Sequence, residues 1–368
     1  MPTAKERSPK HQQVRGELER EIRAGRWRPG DRLPSEVELG LRFGASRITI
    51  GRAMRDLQLA GLVDRRAGSG SFVRAGPPPG ALSFGLLIPD LGQTEVFEPI
   101  CQGIMSSPLA SQHALVWGGG TAPEASREER AWALCRQYVA RKLSGVFFAP
   151  IEHSPSMVEL NRRITGALDE AGIPVVLLDR TAVPHPERGR HDLVGLDHRL
   201  AGFTVTAHLA GLGARRVGFV GLPGSAASVD LRQAGYREAL EAAGLSADAT
   251  LARRLDPTDP SAVRQLLQEA RPEALVAAND WTAARLLQTL LGLGCAVPGD
   301  VRLVGIDDLP YAALLPVPLT TLRQPTAQIG AAALAAMLDR VGGAGQATRD
   351  VLLHGALVVR RSCGSGTA

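Results

Sequence analysis

Two patterns of apolar residues follow one another along the chain. Up to about residue 76, apolar residues recur at intervals of three and four, which is the spacing of amphipathic helices. From residue 82 onward, short and nearly continuous apolar runs such as FGLLIPD, IPVVLLD and VRLVGIDD recur every 25 to 45 residues, with helical stretches between them. Continuous apolar strands that alternate with helices predict an α/β fold with parallel sheets. About 280 residues of this pattern fit two lobes better than one.

The first 75 residues predict three helices and a hairpin. The first helix covers about residues 11–24, the second is capped by Ser35, and the third is capped by Ser46. Two short strands, 62–65 and 71–74, follow and are joined by a glycine-rich turn. This order of elements is that of a winged helix-turn-helix domain.

The third helix, in ASRITIGRAMRDL, has two faces. Its apolar face predicts contact with the domain core and consists of Ile50, Ala53, Met54 and Leu57. Its other face carries Ile48, Arg52 and Arg55, and Arg47 and Thr49 lie near its N-terminal end. Arginine can bind a guanine edge and isoleucine can pack on a thymine methyl group, so this face suits the major groove of DNA. Gly51 is unexpected here, because glycine costs a helix roughly 1 kcal/mol relative to alanine.

A domain boundary falls at RAGPPPGA, residues 74–81, because three consecutive prolines flanked by glycines form a stiff extended spacer. We therefore expect a winged-helix domain at 1–75, a linker at 76–81 and an α/β domain at 82–368.

The charged residues are distributed unevenly on the two sides of this boundary. Residues 1–76 hold 16 Lys and Arg against 9 Asp and Glu, whereas the remainder holds 26 against 28. A basic module before a near-neutral one predicts that the first part contacts nucleic acid.

Composition excludes several other classes. The chain has no apolar run near the ~18 residues of a membrane span, and its N-terminus is polar, so we expect a cytoplasmic protein without membrane contact. The four cysteines are scattered without a CxxC pair, and the histidines at 185, 191 and 198 have no acidic or cysteine partner that completes a ligand set. We expect neither a metal site nor a cofactor.

Polar residues follow several of the predicted strands in the second domain. Asp90, Asp179, Asn279 and Asp307 each stand where an apolar run ends. Ligands of open α/β sheets bind beyond the carboxyl ends of the strands, and carboxylates and amides there suit a ligand with several hydroxyl groups. For any one of these residues, a capping or turn role is the alternative.

The N-terminal part resembles the GntR family of winged-helix regulators. The matching blocks are Pro29–Glu36, Ser46–Ile50, Ala53–Leu62 and Gly68–Val73, in the family's order. The resemblance implies DNA contacts from Arg32, Ser35, Arg47, Thr49 and the wing tip at Ser69 and Gly70. Gly51 departs from the family, which usually has arginine there. Either the DNA contact of that arginine is lost here, or Arg52 makes it instead.

The second domain resembles the effector domain of the LacI regulators, which is similar to periplasmic sugar-binding proteins. The matches include SGVFFAP, AANDWTA and VPGDVRLVGIDDLP, and they run in order from residue 82 to about 362. The resemblance implies lobes at about 82–192 plus 326–348 and at 193–322 plus 349–362. It also implies an effector cleft lined by Asp179, Arg232, Asn279 and Asp307, with Phe97 as a wall. Arg180 is a further candidate, and Trp281 either stacks on a sugar or belongs to the core.

The fold and the two resemblances predict a repressor that binds operator DNA as a homodimer and responds to a small polar effector. A sugar and a nucleoside both fit the cleft, and the patterns do not distinguish induction from corepression. One alternative is an enzyme with a DNA-binding head, but the only lysine beyond the linker, Lys142, lies in a predicted surface helix. The other alternative is a solute-binding protein, and the basic N-terminal domain argues against it.

Overall fold

The computed structural model describes residues 10–23, 26–28, 30–59, 62–66, 70–73, 81–88, 96–118, 125–152, 155–184, 186–187, 189–343 and 347–365. The chain folds as two compact units, Met1–Ala81 and Leu82–Ala368. Apart from Ala81, the linker predicted at 76–81 lies outside the described residues. Within the described ranges, no helix is both long enough and apolar enough to cross a membrane.

The first unit is a winged helix-turn-helix domain, as the sequence predicts. Its elements are α1 (Lys10–Arg23), α2 (Glu36–Phe43), α3 (Arg47–Leu59), β1 (Val63–Arg66) and β2 (Gly70–Val73). Helix α3 packs on α1, and the two strands pair as an antiparallel hairpin. The apolar face of α3 is fully buried, as predicted from its spacing, and comprises Ile50, Ala53, Met54 and Leu57.

A buried carboxylate joins α1 to α2. Glu21 of α1 accepts a hydrogen bond from Arg42 Nη1 of α2 at 3.0 Å and from Arg26 Nη1 at 2.8 Å. Trp27 Nε1 donates to the same carboxylate at 3.1 Å. The hydrogen bonds from Arg42 outweigh the effect of burial and lower the pKa of Glu21 to about 2. Glu21 is therefore charged at neutral pH, and it holds the first two helices of the head together.

Glu21→Gln removes the charge that Arg42 and Arg26 neutralise. Because the pKa of Glu21 is lowered from 4.5 on folding, its contribution to stability is present above pH 4.5 and is lost as the pH falls toward 2. We expect the variant to lose about 2 kcal/mol at pH 7, less than for a fully buried pair because Arg26 is exposed. Amide hydrogen exchange of α1 and α2 in the full chain measures the loss.

Glu19→Gln is the matched control, because Glu19 lies on another side of the same helix, where its Oε2 is 3.9 Å from Arg15 Nε. We expect unchanged exchange in α2 for this control. Equal loss of protection in both variants, or none in Glu21→Gln, would contradict the role given to Glu21.

The first lobe of the second unit is a six-stranded parallel sheet between two layers of helices. Its strands are β3 (Ser83–Leu87), β4 (Ala114–Trp117), β5 (Gly145–Phe148), β6 (Val175–Leu178), β7 (Asp192–Leu196) and β13 (Asp350–Leu353), in the order β13-β7-β6-β5-β3-β4. Two helices, α4 (Phe97–Ser106) and α11 (Thr326–Gly342), pack on one face. The other face is covered by α5 (Arg127–Ala140) and α6 (Pro155–Glu170).

The second lobe repeats this architecture. Its strands are β8 (Val217–Gly221), β9 (Ala252–Arg254), β10 (Ala274–Ala277), β11 (Arg302–Asp307), β12 (Thr320–Arg323) and β14 (Ala356–Val358), in the order β14-β12-β11-β10-β8-β9. Only β14 among these strands is antiparallel. One face carries α7 (His198–Gly211) and α8 (Ala227–Ala242), and the other carries α9 (Pro260–Ala270) and α10 (Asp280–Gly292).

The predicted lobe bounds need a correction at two strands. Strand β7 pairs with β6, and β13 pairs with β7, so both belong to the first sheet. The prediction placed 193–322 and 349–362 in the second lobe and therefore assigned both strands wrongly. The chain crosses between lobes after β7, between β12 and α11, and between β13 and β14. Apolar strands of the two lobes look alike in the sequence, and only their hydrogen-bonded neighbours separate them.

Glycines allow the backbones of α7 and α8 to touch. A Cβ atom on Gly202 of α7 would collide with the carbonyl of Arg232 in α8, and one on Gly235 of α8 would collide with the carbonyl of Arg199 in α7. Both glycines are buried. This contact fixes the position of Arg232, because any side chain at Gly202 would push α8 away from α7.

Candidate functional site

The N-terminal end of α3 forms the first candidate site. Ser46 caps the helix, because its Oγ accepts a hydrogen bond from the backbone amide of Thr49 at 3.3 Å and lies 2.9 Å from Thr49 Oγ1. Arg47 extends from the first turn with an 83% exposed side chain, and its Nε lies 3.8 Å from Glu36 Oε2 of α2. Ile48 and Arg52 are also exposed. The structure therefore presents three of the predicted DNA-contacting side chains to solvent.

The other predicted DNA contacts lie in α2 and the wing. Ser35 forms a capping box with Glu38, accepting from the Glu38 amide at 3.3 Å and donating its own amide to Glu38 Oε2 at 2.7 Å. Arg32 forms an isolated bridge with Phe72 of β2. Its Nε would lie 2.8 Å from a Cβ atom on Gly70, whose φ of 109° already favours glycine. Arg32 thus lies against the wing, and Ser69 lies outside the described residues.

Packing does not require glycine at Gly51. A Cβ atom there would meet only the Glu36 carboxylate, at 3.9 to 4.0 Å, which is ordinary contact. The residue lies inside α3 and is not among those with positive φ. A larger side chain therefore fits, and the glycine leaves this part of the helix surface bare.

The second candidate site lies at the carboxyl ends of the sheets in the second unit. Asp179 follows β6 with φ of 71°, and Asp307 ends β11 with φ of 138°. Non-glycine residues in such conformations are strained, and they concentrate at functional sites. Both aspartates were predicted as effector contacts. The structure connects them through a network of buried polar side chains, the Arg232 cluster, which comprises Asp179, His198, Arg232, Asp307 and Gln324.

Arg232 of α8 lies at the centre of this network. It is buried, and its guanidinium donates to the carbonyl of Ala278 at 2.6 Å through Nη1. Its Nη2 lies 3.4 Å from Asp307 Oδ1, and its Nε donates to His198 Nδ1 at 3.2 Å. Each nitrogen of the guanidinium therefore has a separate partner, so the orientation of the group is fixed.

His198 links Arg232 to Asp179 across the two lobes. It is the first residue of α7, and its Nε2 lies 2.9 Å from Asp179 Oδ1. Since Nδ1 faces a donor of Arg232, Nδ1 accepts, and the proton on Nε2 is donated to Asp179. His198 was not predicted as a site residue. His198 lies just after β7, as Asp179 lies just after β6. This position at a strand end is the feature of the sequence that could have identified it as a site residue.

Gln324 is a second residue that the sequence prediction missed. It follows β12, is buried, and donates from Nε2 to Asp307 Oδ1 at 2.7 Å. Its Oε1 has no hydrogen-bond partner among the described residues. A buried amide oxygen without a partner is costly. It is therefore available to accept a hydrogen bond from a bound molecule.

Phe97 and Arg180 extend the cluster on the side of the first lobe. Phe97 is the first residue of α4 and is buried. The Arg180 guanidinium lies over its ring, 5.7 Å from the centroid, and donates from Nε to Asp179 Oδ2 at 3.2 Å. Arg180 Nη1 also lies 3.6 Å from Glu152 Oε1. Both predictions therefore fall within the cluster.

The remaining predicted residues are less closely connected. Asn279 caps α10 by accepting from the Thr282 amide at 2.8 Å, and it is adjacent to Ala278, which Arg232 contacts. Trp281 is 43% exposed and lies against Arg285, whose Cζ is 4.7 Å from the ring centroid. Neither prediction for Trp281, stacking or a core position, receives support from these contacts. Asp90 lies outside the described residues.

The carboxylates of the cluster differ in their pKa values. Burial would raise the pKa of Asp179, but the contacts with His198, Arg180 and Arg232 lower it well below the ordinary value. Burial and the nearby charge of Asp307 raise the pKa of Asp280 to about 7. Asp280 accepts hydrogen bonds from Thr321 Oγ1 at 2.6 Å and from the Leu309 amide at 2.9 Å. Asp179 therefore supplies a fixed negative charge, and Asp280 supports the loop that follows Asp307.

Asp308 differs from its neighbour Asp307. It binds Arg323 Nε at 2.6 Å and Arg360 Nη2 at 2.6 Å, away from Arg232. It therefore has a structural role between β11, β12 and the C-terminal segment.

Comparison with known proteins finds relatives of both units. Residues 10–73 match the gntR family of bacterial regulatory proteins, and residues 206–363 match the periplasmic binding protein-like domain. The chain is 26% identical over 377 residues to the arabinose metabolism transcriptional repressor of Geobacillus stearothermophilus, covering 96% of this chain and 97% of that protein. It is 30% identical over 198 residues to the ribose operon repressor of Escherichia coli K12, covering 51% and 55%.

Solved structures show the same fold. A GntR transcription regulator from Chromobacterium violaceum aligns with a TM-score of 0.60 and 29% identity, over 76% of this chain and 99% of that one. The complex of the regulator CelR with cellobiose aligns with a TM-score of 0.64 and 24% identity, over 90% of this chain and 100% of that one. The second likeness shows the fold alone.

The chain is thus a DNA-binding transcriptional regulator, and the predicted class is confirmed. It joins a GntR-type helix-turn-helix domain to a periplasmic-binding-protein-like domain, the combination that both resemblances predicted. Along nearly its whole length it is similar to the arabinose metabolism repressor described above.

His198→Phe tests the link between the lobes. The variant keeps a ring but leaves Asp179 Oδ1 and Arg232 Nε without these partners. We expect a loss of about 2 kcal/mol in the free energy of unfolding at pH 7. Because the pKa of Asp179 is lowered from 3.8 on folding, its contribution is present above pH 3.8 and disappears below it. Urea unfolding of the full chain at several pH values measures the effect.

His191→Phe is the control, because His191 also pairs with an aspartate, Asp169 at 3.0 Å, but this aspartate is exposed. We expect this control to unfold like the unmodified protein. Unchanged unfolding of His198→Phe would show that the His198 contacts do not stabilise the lobes.

Proposed function

We propose that the protein is a repressor whose affinity for operator DNA changes when an uncharged sugar binds at the Arg232 cluster. The observation that carries this proposal is the buried arrangement of Arg232, Asp307 and Gln324, in which Gln324 Oε1 has no partner among the described residues. A sugar hydroxyl can donate to this oxygen and accept from another group at the same time. This pairing would satisfy the buried amide.

The charges of the cluster favour an uncharged ligand. Arg232 is paired with Asp307, and Arg180 is paired with both Asp179 and Glu152. Each of these arginines already has a carboxylate partner, so a phosphate or carboxylate on the ligand would compete with those partners. Neutral hydroxyl groups can instead hydrogen-bond to the free lone pairs of the carboxylates.

The relatives favour the same class of ligand. The repressors similar to this chain are named for arabinose and ribose, and the CelR complex contains cellobiose. We therefore propose that the effector of this protein is also a sugar, and that it binds against Phe97, Arg232 and Gln324. An aromatic wall and a buried arginine are common in sites for polar ligands.

The link between sugar and DNA runs through the two lobes. Asp179 and Phe97 belong to the first lobe, whereas Arg232, Asp307 and Gln324 belong to the second or lie at its border. A ligand that contacts both sets would favour one relative position of the lobes. A coupling of roughly 1–3 kcal/mol would then change operator affinity about 5- to 150-fold.

A homodimer would bring two heads to one operator. The first lobe exposes Met105 in α4, Leu109 in the segment that follows, and Trp117 on the edge strand β4. These apolar side chains suit a self-association surface, and two heads would suit a nearly palindromic operator. We also propose that the protein acts in the cytoplasm, where operator DNA is found.

Asp307→Asn tests the sugar site. Asparagine keeps the shape but removes the charge that orients Arg232 and Gln324, so we expect at least a tenfold weaker affinity for sugar. A thermal-shift screen of arabinose, ribose, cellobiose and nucleosides identifies the effector, since a ligand at 100 times its Kd stabilises by about 2.7 kcal/mol. Operator binding by the free variant should remain unchanged.

Asp230→Asn is the matched control, because Asp230 is exposed on α8 and pairs with Arg254 at 2.6 Å. We expect it to keep the full thermal shift. If no uncharged sugar shifts the unmodified protein, or if Asp307→Asn also abolishes operator binding, the proposed effector site is wrong.

Arg47→Ala and Arg52→Ala test the DNA surface. Each variant removes one exposed cation from α3, so we expect weaker operator binding. If the arginine contacts a phosphate, the slope of log K against log salt also decreases by about one in magnitude. Fluorescence anisotropy with the protein's own promoter and with random duplex DNA measures both quantities.

Arg20→Ala serves as the control for these variants, because Arg20 is exposed on α1 and pairs with Glu17 at 2.6 Å. We expect no change in its affinity or salt slope. The proposed function fails if the unmodified protein shows no salt-sensitive preference for its promoter over random DNA.

A further inference from the structure

Ile48 is the most exposed large apolar side chain in the described part of the chain. It is 86% exposed, although it lies in the first turn of α3, directly above a helix face that is fully buried. The position could carry a polar residue without any loss of packing in the head. Single exposed apolar residues are common at protein surfaces. This one stands at the N-terminal end of the helix that we propose reads DNA, where it would face the base edges of the major groove.

The two neighbours of Ile48 in the first turn differ in how far they are engaged within the head. Thr49 Oγ1 lies 2.9 Å from Ser46 Oγ, and the Thr49 amide donates to the same oxygen. Arg47 Nε lies 3.8 Å from Glu36 Oε2. The first turn of α3 therefore presents an isoleucine between a threonine that is bonded to the capping Ser46 and an arginine that stays largely exposed.

Gly51 leaves the surface beside Ile48 bare. It stands three residues after Ile48, which places it one turn farther along the same side of the helix. A Cβ atom there would touch only the Glu36 carboxylate, at 3.9 to 4.0 Å, so no crowding imposes the glycine. The next outward residue, Arg52, is exposed. An apolar side chain and a position without a side chain thus lie between Arg47 and Arg52, with the Glu36 carboxylate beside Gly51.

We propose that Ile48 and the bare backbone at Gly51 form a methyl-reading surface that selects thymine in each operator half-site. This inference rests on the proposed operator binding and specifies its chemistry. In the major groove, the only apolar group on a base-pair edge is the C5-methyl of thymine. Arg47 and Arg52 on either side supply the positive charge that holds the helix against the phosphates.

Uracil substitution tests this surface directly. Selection from random duplex DNA with the full chain first identifies the preferred operator. Replacing each thymine of a half-site by deoxyuridine then removes one methyl group and leaves every hydrogen-bonding group in place. At the contacted thymine we expect about fourfold weaker binding, the value of one buried methyl group. Anisotropy titration measures the change.

Ile48→Ala should lose this discrimination and bind the thymine and deoxyuridine operators equally. Leu41→Ala is the matched control, because Leu41 is also highly exposed, at 82%, but belongs to α2 and not to α3. We expect Leu41→Ala to keep the discrimination. Circular dichroism and the sugar-induced thermal shift confirm that each variant is folded.

The two proposals fail in different ways. If selection yields no preferred sequence, operator binding itself is refuted. If a sequence is found but no deoxyuridine weakens binding by the unmodified protein, the methyl-reading surface is refuted. It is also refuted if Ile48→Ala still discriminates thymine from uracil.

Discussion

The effector-binding half of this protein depends on one buried guanidinium. Arg232 donates to a backbone carbonyl, contacts Asp307 and donates to His198, so elements from across the second lobe meet at one side chain. His198 then continues the chain of hydrogen bonds to Asp179 in the first lobe. A buried charge is tolerated only when such partners are present. The cleft is therefore held in shape by the same groups that would contact a ligand.

The head follows a different physical rule. Its core is apolar, and the ion pair between Glu21 and Arg42 joins its first two helices. The side that we propose contacts DNA keeps Arg47, Arg52 and Ile48 exposed to solvent. In the proposed function, the head reads DNA through exposed side chains, whereas the second unit recognises a sugar inside a desolvated cluster. This difference explains why salt should affect the first function more strongly than the second.

Much of this organisation could be predicted from the sequence, because it depends on local patterns. The spacing of Ile50, Ala53, Met54 and Leu57 determined the buried face of α3, and apolar runs located the parallel strands. Asp179 and Asp307 were found because they follow such runs. His198 and Gln324 stand at equivalent strand ends but were overlooked, since their roles depend on partners distant in sequence. The membership of β7 and β13 was misassigned for the same reason.

The contact between α7 and α8 has a consequence for how such regulators can be re-engineered. Gly202 and Gly235 bring the two helix backbones into direct contact, so His198 and Arg232 lie on one closely packed pair of helices. Designs for a new effector can vary the side chains that project from this helix pair into the cleft. They should retain both glycines and transplant the helices together, because exchanging either helix alone would separate the histidine from the arginine.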